Sequence, residues 1–258
     1  MKMPMVSIII PVHNAGRFIE DTIRSIMSET YSNWEIILVN DHSTDDSLKR
    51  VGYMIEEFEE KGIGEKIRLI HTPDGEKGAA KTRNAGVKAA TGRFIAFLDA
   101  DDLFEPPKLE MQLKFMKEND AAFSFTGYEF ADETGIGIEK IVRVPKKMTY
   151  KSALKNTTIF TSTVMFDTKK IDKALIEMPD VPSEDTALWW KILKMGYTAY
   201  GLDRPMTLYR RSAGTLSSNK TTAIKRVWNL YRNVEKLSLP YSILCFCFYA
   251  IHAVWRRL

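Results

Sequence analysis

The chain has 258 residues, of which 45% are hydrophobic and 27% are charged, as is usual for a soluble globular protein with a sizeable core. Its net charge of +4 is unevenly distributed, because the residues from Asn219 onward contain seven Lys and Arg but only one acid, Glu235. This tail contributes +6 and the preceding residues −2. A basic patch confined to a tail with an apolar run does not favour nucleic acid as a partner.

Three features bear on the compartment. The apolar run near the N-terminus is too short for the core of a signal peptide. No stretch reaches the roughly 18 to 20 apolar residues that cross a bilayer. Cys245 and Cys247 lie too close together to favour a disulfide, which fits a reducing compartment. We expect a cytoplasmic protein, with peripheral contact to the inner face of the cell membrane as the one alternative to a fully soluble state.

Strand-like and helix-like segments alternate over the first hundred residues. Short apolar or β-branched runs predict strands, and apolar residues at helical spacing predict helices between them. The expected strands are Val6–Val12, Trp34–Val39, Ile67–His71 and Phe94–Leu98, and the expected helices are Phe18–Thr30, Leu48–Phe58 and Gly78–Ala90. Pro11 is expected to end the pairing of the first strand. The alternation predicts an α/β fold with a doubly wound, mostly parallel sheet.

The second half of the chain is less regular, and residues 131–182 are the hardest to assign. The expected elements are a helix over Lys108–Lys117, a strand over Ala121–Phe130, a strand near Ser162–Phe166, a helix over Glu184–Met195, and two short strands over Tyr197–Tyr209 with a turn at Asp203-Arg204-Pro205. The sequence shows no internal repeat.

Three carboxylates follow the apolar run Phe94–Leu98, which is short enough for a strand buried on both faces. They are Asp99, Asp101 and Asp102. In an open α/β sheet, ligands bind beyond the carboxyl ends of the strands. Neighbouring carboxylates repel one another unless a cation or donor groups offset their charge. The pattern indicates a site for a hard divalent cation, and the alternative is a solvated turn in which Asp102 caps the next helix.

Asp41 follows the second predicted strand and would meet Asp99 at the same edge of the sheet. A carboxylate in this position can accept hydrogen bonds from a ribose or from a base. The alternative is a cap for the following helix, which Ser43 and Thr44 would serve better.

Lys81 and Arg83 lie two residues apart on a predicted helix, so at most one of them faces a given group. Arginine suits the geometry of a phosphate. A solvated helix face explains both residues equally well.

Glu184 and Asp185 open a predicted helix, where the helix dipole stabilises their charge, so a capping role would explain them. Trp189 and Trp190 follow in the next turn, and Arg210 lies further downstream. Aromatic faces stack on sugar rings, and a neighbouring carboxylate can deprotonate a hydroxyl. The alternative for the tryptophans is that one of them fills the core.

Five segments together resemble the family 2 glycosyltransferases with the GT-A fold, and the likeness covers roughly residues 5 to 218. They are Val6–Asn14, Val39–Asp45, Ala80–Gly92, Phe97–Asp102 and Glu184-Asp185. The resemblance implies inverting transfer of a sugar from a nucleotide diphosphate donor, aided by Mn²⁺ or Mg²⁺. It also implies a saccharide or lipid-linked acceptor in cell-surface polysaccharide synthesis, and UDP is favoured by family frequency alone.

The resemblance further implies roles for single residues. Asp41 would contact the base, Asp99 the ribose and Asp101 the metal, while Asp185 would be the general base. The substrate-binding residues that we expect are Pro11, His13, Asn14, Asp41, Lys81, Arg83, Asp99, Ala100, Glu184, Trp189, Trp190 and Arg210.

Two departures from the family pattern matter. Asn40 stands where an Asp is common, so the carboxylate that we expect to contact the base of the nucleotide is Asp41. The Gln-x-x-Arg-Trp motif of processive members is absent from the region after Asp185, which favours addition of a single sugar over polymer synthesis.

We expect a catalytic domain over residues 1–218, with a nucleotide-binding half (1–105) and an acceptor half (106–218). A basic, aromatic helical tail follows over 219–258. Ser238-Leu239-Pro240 resembles a helix start, and Tyr241 to Trp255 follow almost without charge. Basic residues around this run suggest docking on an anionic membrane surface. The alternative is a helix that packs on the catalytic domain or in a homodimer.

Two other function classes fit parts of the sequence. A magnesium-dependent phosphoryl-transfer α/β enzyme also gathers aspartates at strand ends, but the chain has no Gly-x-x-x-x-Gly-Lys-Ser/Thr loop. A non-catalytic protein that binds nucleotide sugars would keep the donor residues without needing a base.

Overall fold

The computed structural model describes residues 4–211 and 220–255. Within these residues ten strands form one sheet. They are β1 (Val6–Val12), β2 (Trp34–Asn40), β3 (Ile67–His71), β4 (Phe94–Phe97), β5 (Leu103–Phe104), β6 (Phe123–Ala131), β7 (Gly137–Val142), β8 (Lys147–Met148), β9 (Met165–Asp167) and β10 (Ala199–Arg210). Every strand predicted in the first hundred residues is present, to within one residue at its ends.

The helices lie on both faces of this sheet. They are α1 (Ile19–Met27), α2 (Ser47–Glu60), α3 (Ala79–Ala89), α4 (Lys108–Glu118), α5 (Tyr150–Ala153), α6 (Glu184–Lys194), α7 (Lys220–Asn229) and α8 (Leu239–Trp255). Short 3₁₀ turns occur at Gly64–Lys66, Thr161–Thr163 and Lys173–Ile176, and Leu230–Val234 forms a π-helical segment after α7. Among the described residues no helix is both long enough and apolar enough to span a membrane.

The sheet has the order β3-β2-β1-β4-β9-β6-β10-β5, with β7 on β6 and β8 on β10. The long pairings β1–β2, β2–β3, β1–β4 and β6–β10 are parallel, and β9 is antiparallel to both β4 and β6. The expected doubly wound, mostly parallel arrangement is confirmed. Because β1, β2 and β4 run in the same direction, their carboxyl ends meet at one edge of the sheet.

Two strand predictions need correction. Pro11 does not end β1, because it remains in register with Val39 of β2. The carbonyl of Ile9 faces β4 and accepts the N–H of Leu98. Residues two apart in a strand direct their backbone groups to the same side, so the nitrogen of Pro11 also faces β4. The pairing with β4 already ends at Ile9. The missing N–H of Pro11 therefore removes no ladder bond.

The second correction concerns residues 197–209, where a turn between two strands was expected. The structure has the single strand β10, and its register against β6 shifts between Leu202 and Pro205 and again between Pro205 and Leu208. A proline cannot donate to the ladder, and a bulge accommodates it without reversing the chain.

Hydrophobic cores lie on the two faces of the sheet. Along β4, Ile95 and Phe97 belong to the core shared with α3, α6 and the C-terminal helices, while Phe94 and Ala96 belong to the core under α1, α2 and α4. This alternation explains the uninterrupted apolar run of β4, since a strand covered on both faces buries every side chain. The carboxylates after β4 are therefore held by a strand that is buried at every position.

Candidate functional site

The carboxyl ends of β1, β2 and β4 bring three loops together. Asp41 follows β2 and is buried, and its Oδ2 accepts the backbone N–H of Gly78 at 2.9 Å. Gly78 precedes α3 and has a φ of +96°, a conformation that favours glycine. Asp41 does not cap α2, because Asp45 supplies the Oδ1 that accepts the N–H of Ser47. The carboxylate is thus held in place at the sheet edge.

The loop after β1 is tied to the loop after β2. The Nδ1 atom of His13 lies 2.6 Å from the backbone carbonyl oxygen of Asp41. Asn14 has a φ of 49°, and its Oδ1 accepts the N–H of Thr44 at 2.8 Å. Pro11, at the end of β1, brings this loop to the edge. The three expected residues of this motif therefore lie beside Asp41.

A buried guanidinium joins two carboxylates that are far apart in sequence. Arg83 of α3 donates to Asp99 Oδ1 at 2.5 Å and to Glu184 Oε1 at 2.9 Å. Burial alone would lower the pKa of Arg83, but the charges of Asp99 and Glu184 raise it overall. Arg83 therefore stays charged and links the end of β4 to the start of α6.

Lys81 does not join this group. Its Nζ lies 3.9 Å from Asp180, an exposed carboxylate outside the site. The structure thus selects Arg83 from the two cations that the sequence offered, because only Arg83 lies on the face of α3 that packs towards the sheet.

The acidic run after β4 is neither a solvated turn nor a helix cap. Asp102 is fully buried, its Oδ2 accepts the hydroxyl of Ser162 at 2.5 Å, and its Oδ1 accepts the backbone N–H of Arg210 at 3.2 Å. Burial, followed by the charges of Asp101 and Asp99, raises the pKa of Asp102 well above its usual value. The capping alternative for Asp102 is wrong, since α4 begins six residues later.

Asp101 lies at the entrance to this group and is partly exposed. Burial raises its pKa to about 6, with the charge of Asp99 as the second cause. Ala100 lies between Asp99 and Asp101 in the chain. It is buried, and its carbonyl oxygen accepts the hydroxyl of Thr22 at 2.9 Å. A bound cation would remove the repulsion between Asp99 and Asp101.

Arg210 lies against the same acidic run. Its Nη2 donates to Asp21 at 3.1 Å, and its charge lowers the pKa of Asp101. The side chain is 1% exposed, yet its Nε and Nη1 have no hydrogen-bond partner among residues 4–211 and 220–255. Buried N–H groups are costly when they are left unpaired, so this guanidinium is suited to an anion.

Asp185 stands in the first turn of α6, next to Glu184. Its Oδ1 accepts the N–H of Thr186 at 2.6 Å, as a residue at a helix start can do, and its Oδ2 accepts the hydroxyl of Thr161 at 3.1 Å. Burial and the charge of Asp185 raise the pKa of Glu184. The carboxylate of Asp185 is therefore fixed by a residue from another element.

The sequence analysis missed the turn Phe160–Thr163. Thr161 contacts Asp185, and the next residue, Ser162, accepts the N–H of Asp99 at 3.1 Å while donating to Asp102. The sequence analysis predicted a strand near Ser162–Phe166, but the structure has a 3₁₀ turn at Thr161–Thr163 and the strand begins at Met165. Nothing in the sequence singled out the two hydroxyl groups, because their partners are distant in the chain. These hydroxyl groups connect the acidic run to the start of α6.

The expected role of the two tryptophans is wrong. Trp189 is 2% and Trp190 is 1% exposed. Trp189 packs against Phe123 and Phe166, and Trp190 stacks on Tyr231 at 5.3 Å with an interplanar angle of 11°. Neither ring has a face free for a sugar, because α6 turns both of them towards the core.

The chain matches a family model and is similar in sequence to individual bacterial proteins. The family model described as "Glycosyl transferase family 2" matches residues 7–175. A Bacillus subtilis protein named as a teichuronic acid biosynthesis glycosyltransferase is 40% identical over 256 residues, which is 99% of this chain and 98% of that protein. An Escherichia coli protein named UDP-Glc:alpha-D-GlcNAc-diphosphoundecaprenol beta-1,3-glucosyltransferase is 37% identical over 88% of this chain and 85% of that protein.

Solved structures show a similar fold. S. aureus TarS 1–349 in complex with UDP-GlcNAc gives a TM-score of 0.67 at 18% identity, covering 94% of this chain and 70% of that one. A mannosyltransferase of Pyrobaculum calidifontis in complex with GDP-Man and Mn²⁺ gives a TM-score of 0.70 at 17% identity, covering 95% of this chain and 69% of that one. At these identities the likeness establishes the architecture alone.

The bridge made by Arg83 leads to a prediction about stability. Arg83→Met should lower the free energy of unfolding by about 3 kcal/mol, because it leaves two partly buried carboxylates without their opposite charge. Lys81→Met, on the same helix, is the matched control and should change stability by no more than about 0.5 kcal/mol. Urea unfolding of both variants provides the measurement. Equal losses in the two variants would show that the bridge does not stabilise the fold.

Proposed function

Since the chain belongs to glycosyl transferase family 2 and has the GT-A fold, we propose that it is an inverting, metal-dependent enzyme. It would move one sugar from a UDP-sugar to a hydroxyl of a lipid-linked saccharide in cell-surface polysaccharide synthesis. The observation that carries the proposal is the bridge from Asp99 through Arg83 to Glu184. This bridge brings the proposed metal ligand Asp101 and the proposed base Asp185 to one site.

The donor nucleotide would lie along the carboxyl ends of β1, β2 and β4. Asp41 would accept a hydrogen bond from the base and Asp99 from the ribose. Pro11, His13 and Asn14 would line the nucleotide, because their loop is tied to that of Asp41. In this proposal residues 1–105 would bind the nucleotide and residues 106–218 would form the acceptor half, as the sequence analysis expects.

Arg210 would contact the diphosphate. Its guanidinium is buried, and two of its nitrogen atoms lack a hydrogen-bond partner within the part of the chain that the structure describes. A diphosphate oxygen that accepts from them would satisfy these groups, and a charge-assisted bond of this kind is stronger than a neutral one. The positive charge would also stabilise the diphosphate as it leaves.

Asp101 is the proposed ligand of a divalent cation, Mn²⁺ or Mg²⁺. Among the described residues no three His, Cys, Asp or Glu side chains lie close enough to hold a metal by themselves. Mg²⁺ usually takes one or two carboxylates and completes its shell with water and substrate phosphates, which fits Asp101 with Asp99 beside it. When bound, such a cation offsets the charge that develops on the leaving group.

Asp185 would remove the proton of the acceptor hydroxyl. The hydroxyl oxygen then forms a bond to the anomeric carbon as the bond from that carbon to the diphosphate oxygen breaks. Attack from the face opposite the diphosphate inverts the configuration of the sugar. Thr161 and the N–H of Thr186 each hold one carboxylate oxygen, and each oxygen keeps a lone pair that can accept from the hydroxyl of the acceptor.

The names of the relatives support a nucleotide-sugar donor and a lipid-linked acceptor. The Escherichia coli protein is named for UDP-Glc and for an acceptor linked to diphosphoundecaprenol, and the S. aureus structure contains UDP-GlcNAc. The archaeal neighbour contains GDP-Man, so both nucleotides occur in this fold. UDP is the donor nucleotide that we propose, because it accompanies the relative with the higher sequence identity.

The test of the base is Asp185→Asn. This variant should keep the rise in melting temperature that UDP causes but lower sugar transfer by roughly 10² or more, the usual contribution of an acid–base group. Asp180→Asn, at an exposed position five residues upstream, is the control and should keep its activity. Transfer by Asp185→Asn at the wild-type rate would refute the assignment. Wild-type protein that binds UDP but never hydrolyses a nucleotide sugar would instead be a binding protein.

The metal proposal predicts a pH dependence. Only the ionised form of Asp101 binds a cation, and its pKa is raised to about 6. The increase in UDP affinity caused by Mn²⁺ should therefore be complete at about pH 7.5 and fall about tenfold for each pH unit below 6. Calorimetry of UDP with and without Mn²⁺ measures this, and Asp101→Ala should remove the increase at every pH. Equal UDP affinity with and without Mn²⁺ in the wild type would contradict the assignment.

We further propose that the protein binds peripherally to a membrane through α8. One face of this helix packs on the core, with Cys245 buried and Phe246 and Tyr249 against it. The opposite face, which we call the outer face, is apolar and between 40 and 55% exposed at five positions. Those positions are Leu239, Ile243, Leu244, Phe248 and Ile251. The expected packing role of the helix therefore accounts for the inner face only.

The charges around the outer face suit an anionic surface. Helix α8 contains no acidic residue. The Nζ of Lys155 lies 5.0 Å from the ring centroid of Phe248 on the outer face, and Lys236 is exposed just before the helix. Long basic side chains keep their charge in the headgroup region while their stems cover apolar surface. Each contributes about 1 kcal/mol on an anionic leaflet.

Co-sedimentation with vesicles tests the membrane proposal. The full chain should bind phosphatidylglycerol vesicles at low salt and not phosphatidylcholine vesicles. The double variant Ile243→Glu, Phe248→Glu should lose binding, whereas the control Ile136→Glu, Met195→Glu, at exposed apolar positions elsewhere, should keep it. The membrane proposal is wrong if the wild type does not bind anionic vesicles. If the wild type then forms a dimer that the α8 double variant breaks, the outer face is a homodimer interface.

A further inference from the structure

Four aromatic side chains form a cluster outside the two main cores. They are Tyr128 and Phe130 of β6, Phe160, and Tyr209 of β10, and we call them the aromatic cluster. The ring centroids of Phe160 and Tyr209 lie 4.6 Å apart, those of Tyr128 and Phe160 5.1 Å, and those of Phe130 and Tyr209 5.4 Å. Tyr128 and Phe130 are buried, whereas Phe160 and Tyr209 are partly exposed.

The two exposed members are adjacent in sequence to residues that hold the catalytic groups. Phe160 precedes Thr161, whose hydroxyl donates to Asp185. Tyr209 precedes Arg210, whose backbone N–H donates to Asp102. The backbone of the ring pair therefore adjoins both the residue that holds the proposed base and the residue that donates to the acidic run.

Two cations approach the cluster. The guanidinium carbon of Arg211 lies 5.1 Å, and Lys140 Nζ 5.9 Å, from the ring centroid of Phe130. Arg211 is exposed. Lys140 belongs to β7 and Arg211 follows the end of β10, so the two charges reach the same ring from different elements. A ligand that is apolar on one face and anionic at one end would match this arrangement.

We infer that Phe160 and Tyr209 form the subsite for the sugar ring of the acceptor, with Lys140 and Arg211 receiving an anionic group attached to that sugar. The inference rests on the proposed function and deepens it. The C–H bonds on one face of a pyranose carry partial positive charge and are attracted to the negative face of an aromatic ring. A diphosphate that links the sugar to a lipid is the anionic group this site would take.

The subsite replaces the role that the sequence suggested for Trp189 and Trp190. Both of those rings are covered on all sides by the core. The aromatic cluster includes few fully buried residues, so its outer rings can be changed with little loss of core packing. Phe160 is the residue before Thr161, whose hydroxyl donates to Asp185, and the ring of Phe160 lies 4.6 Å from that of Tyr209.

The test measures initial rates with UDP-glucose as donor and a short-chain N-acetylglucosaminyl diphospholipid as acceptor. Phe160→Leu and Tyr209→Leu should each raise the acceptor KM about 3- to 10-fold, the scale of one aromatic contact, and should change the donor KM less than about twofold. Tyr209→Phe keeps the ring and should stay near the wild-type value. Tyr53→Leu, at an exposed tyrosine on α2, is the matched control.

The outcomes separate the subsite from the proposed function. An unchanged acceptor KM in both leucine variants overturns the subsite, and so does an equal rise in acceptor KM and donor KM. A loss in Tyr209→Phe as large as that in Tyr209→Leu would assign the effect to the hydroxyl and overturn stacking. If the wild type does not hydrolyse UDP-glucose even without an acceptor, the donor part of the proposed function fails instead.

Discussion

The site depends on the neutralisation of carboxylates that the fold crowds together. Asp99, Asp101 and Asp102 lie within a run of four residues, and Glu184 and Asp185 lie at the start of α6. Such a group is unstable unless positive charge or hydrogen-bond donors offset the repulsion. Arg83 neutralises it from within the protein, since it pairs with Asp99 and Glu184 at once. Because this guanidinium joins α3 both to the end of β4 and to the start of α6, removing its charge would loosen the contact between these elements as well as leave both carboxylates unpaired.

A second constraint is the turn at residues 160–163. In a 3₁₀ turn successive side chains point about 120° apart, so neighbouring residues can serve different parts of the molecule. Phe160 joins the aromatic cluster, Thr161 holds Asp185, and Ser162 binds both Asp102 and the N–H of Asp99. One turn therefore sets the relative positions of Asp185, the acidic run and the proposed acceptor subsite.

The difference between what the sequence predicts and what it misses follows from the range of the interactions. Strands β1 to β4 and the carboxylates that follow them could be predicted, because a buried strand and its polar end are neighbours in the chain. The role of Asp102 could not, since its partners Ser162 and Arg210 lie 60 and 108 residues away. The tryptophans were misjudged for the same reason. The sequence places them on α6, but only the packing of α6 on Phe123, Phe166 and Tyr231 decides which side is covered.

The packing of α6 also connects the site with the tail. Asp185 stands at the start of this helix, and Trp190 stacks on Tyr231 in the π-helical segment that leads to α8. Near the end of α6, Lys194 pairs with Glu235, which also accepts a hydrogen bond from Tyr150. Interiors packed in this way transmit displacement rather than absorb it. If the outer face of α8 rests on a membrane, the position of the base relative to the bilayer is then fixed by these contacts. An enzyme whose acceptor sugar is attached to a lipid needs such a fixed height, because the length of the lipid-sugar link determines where the hydroxyl can reach.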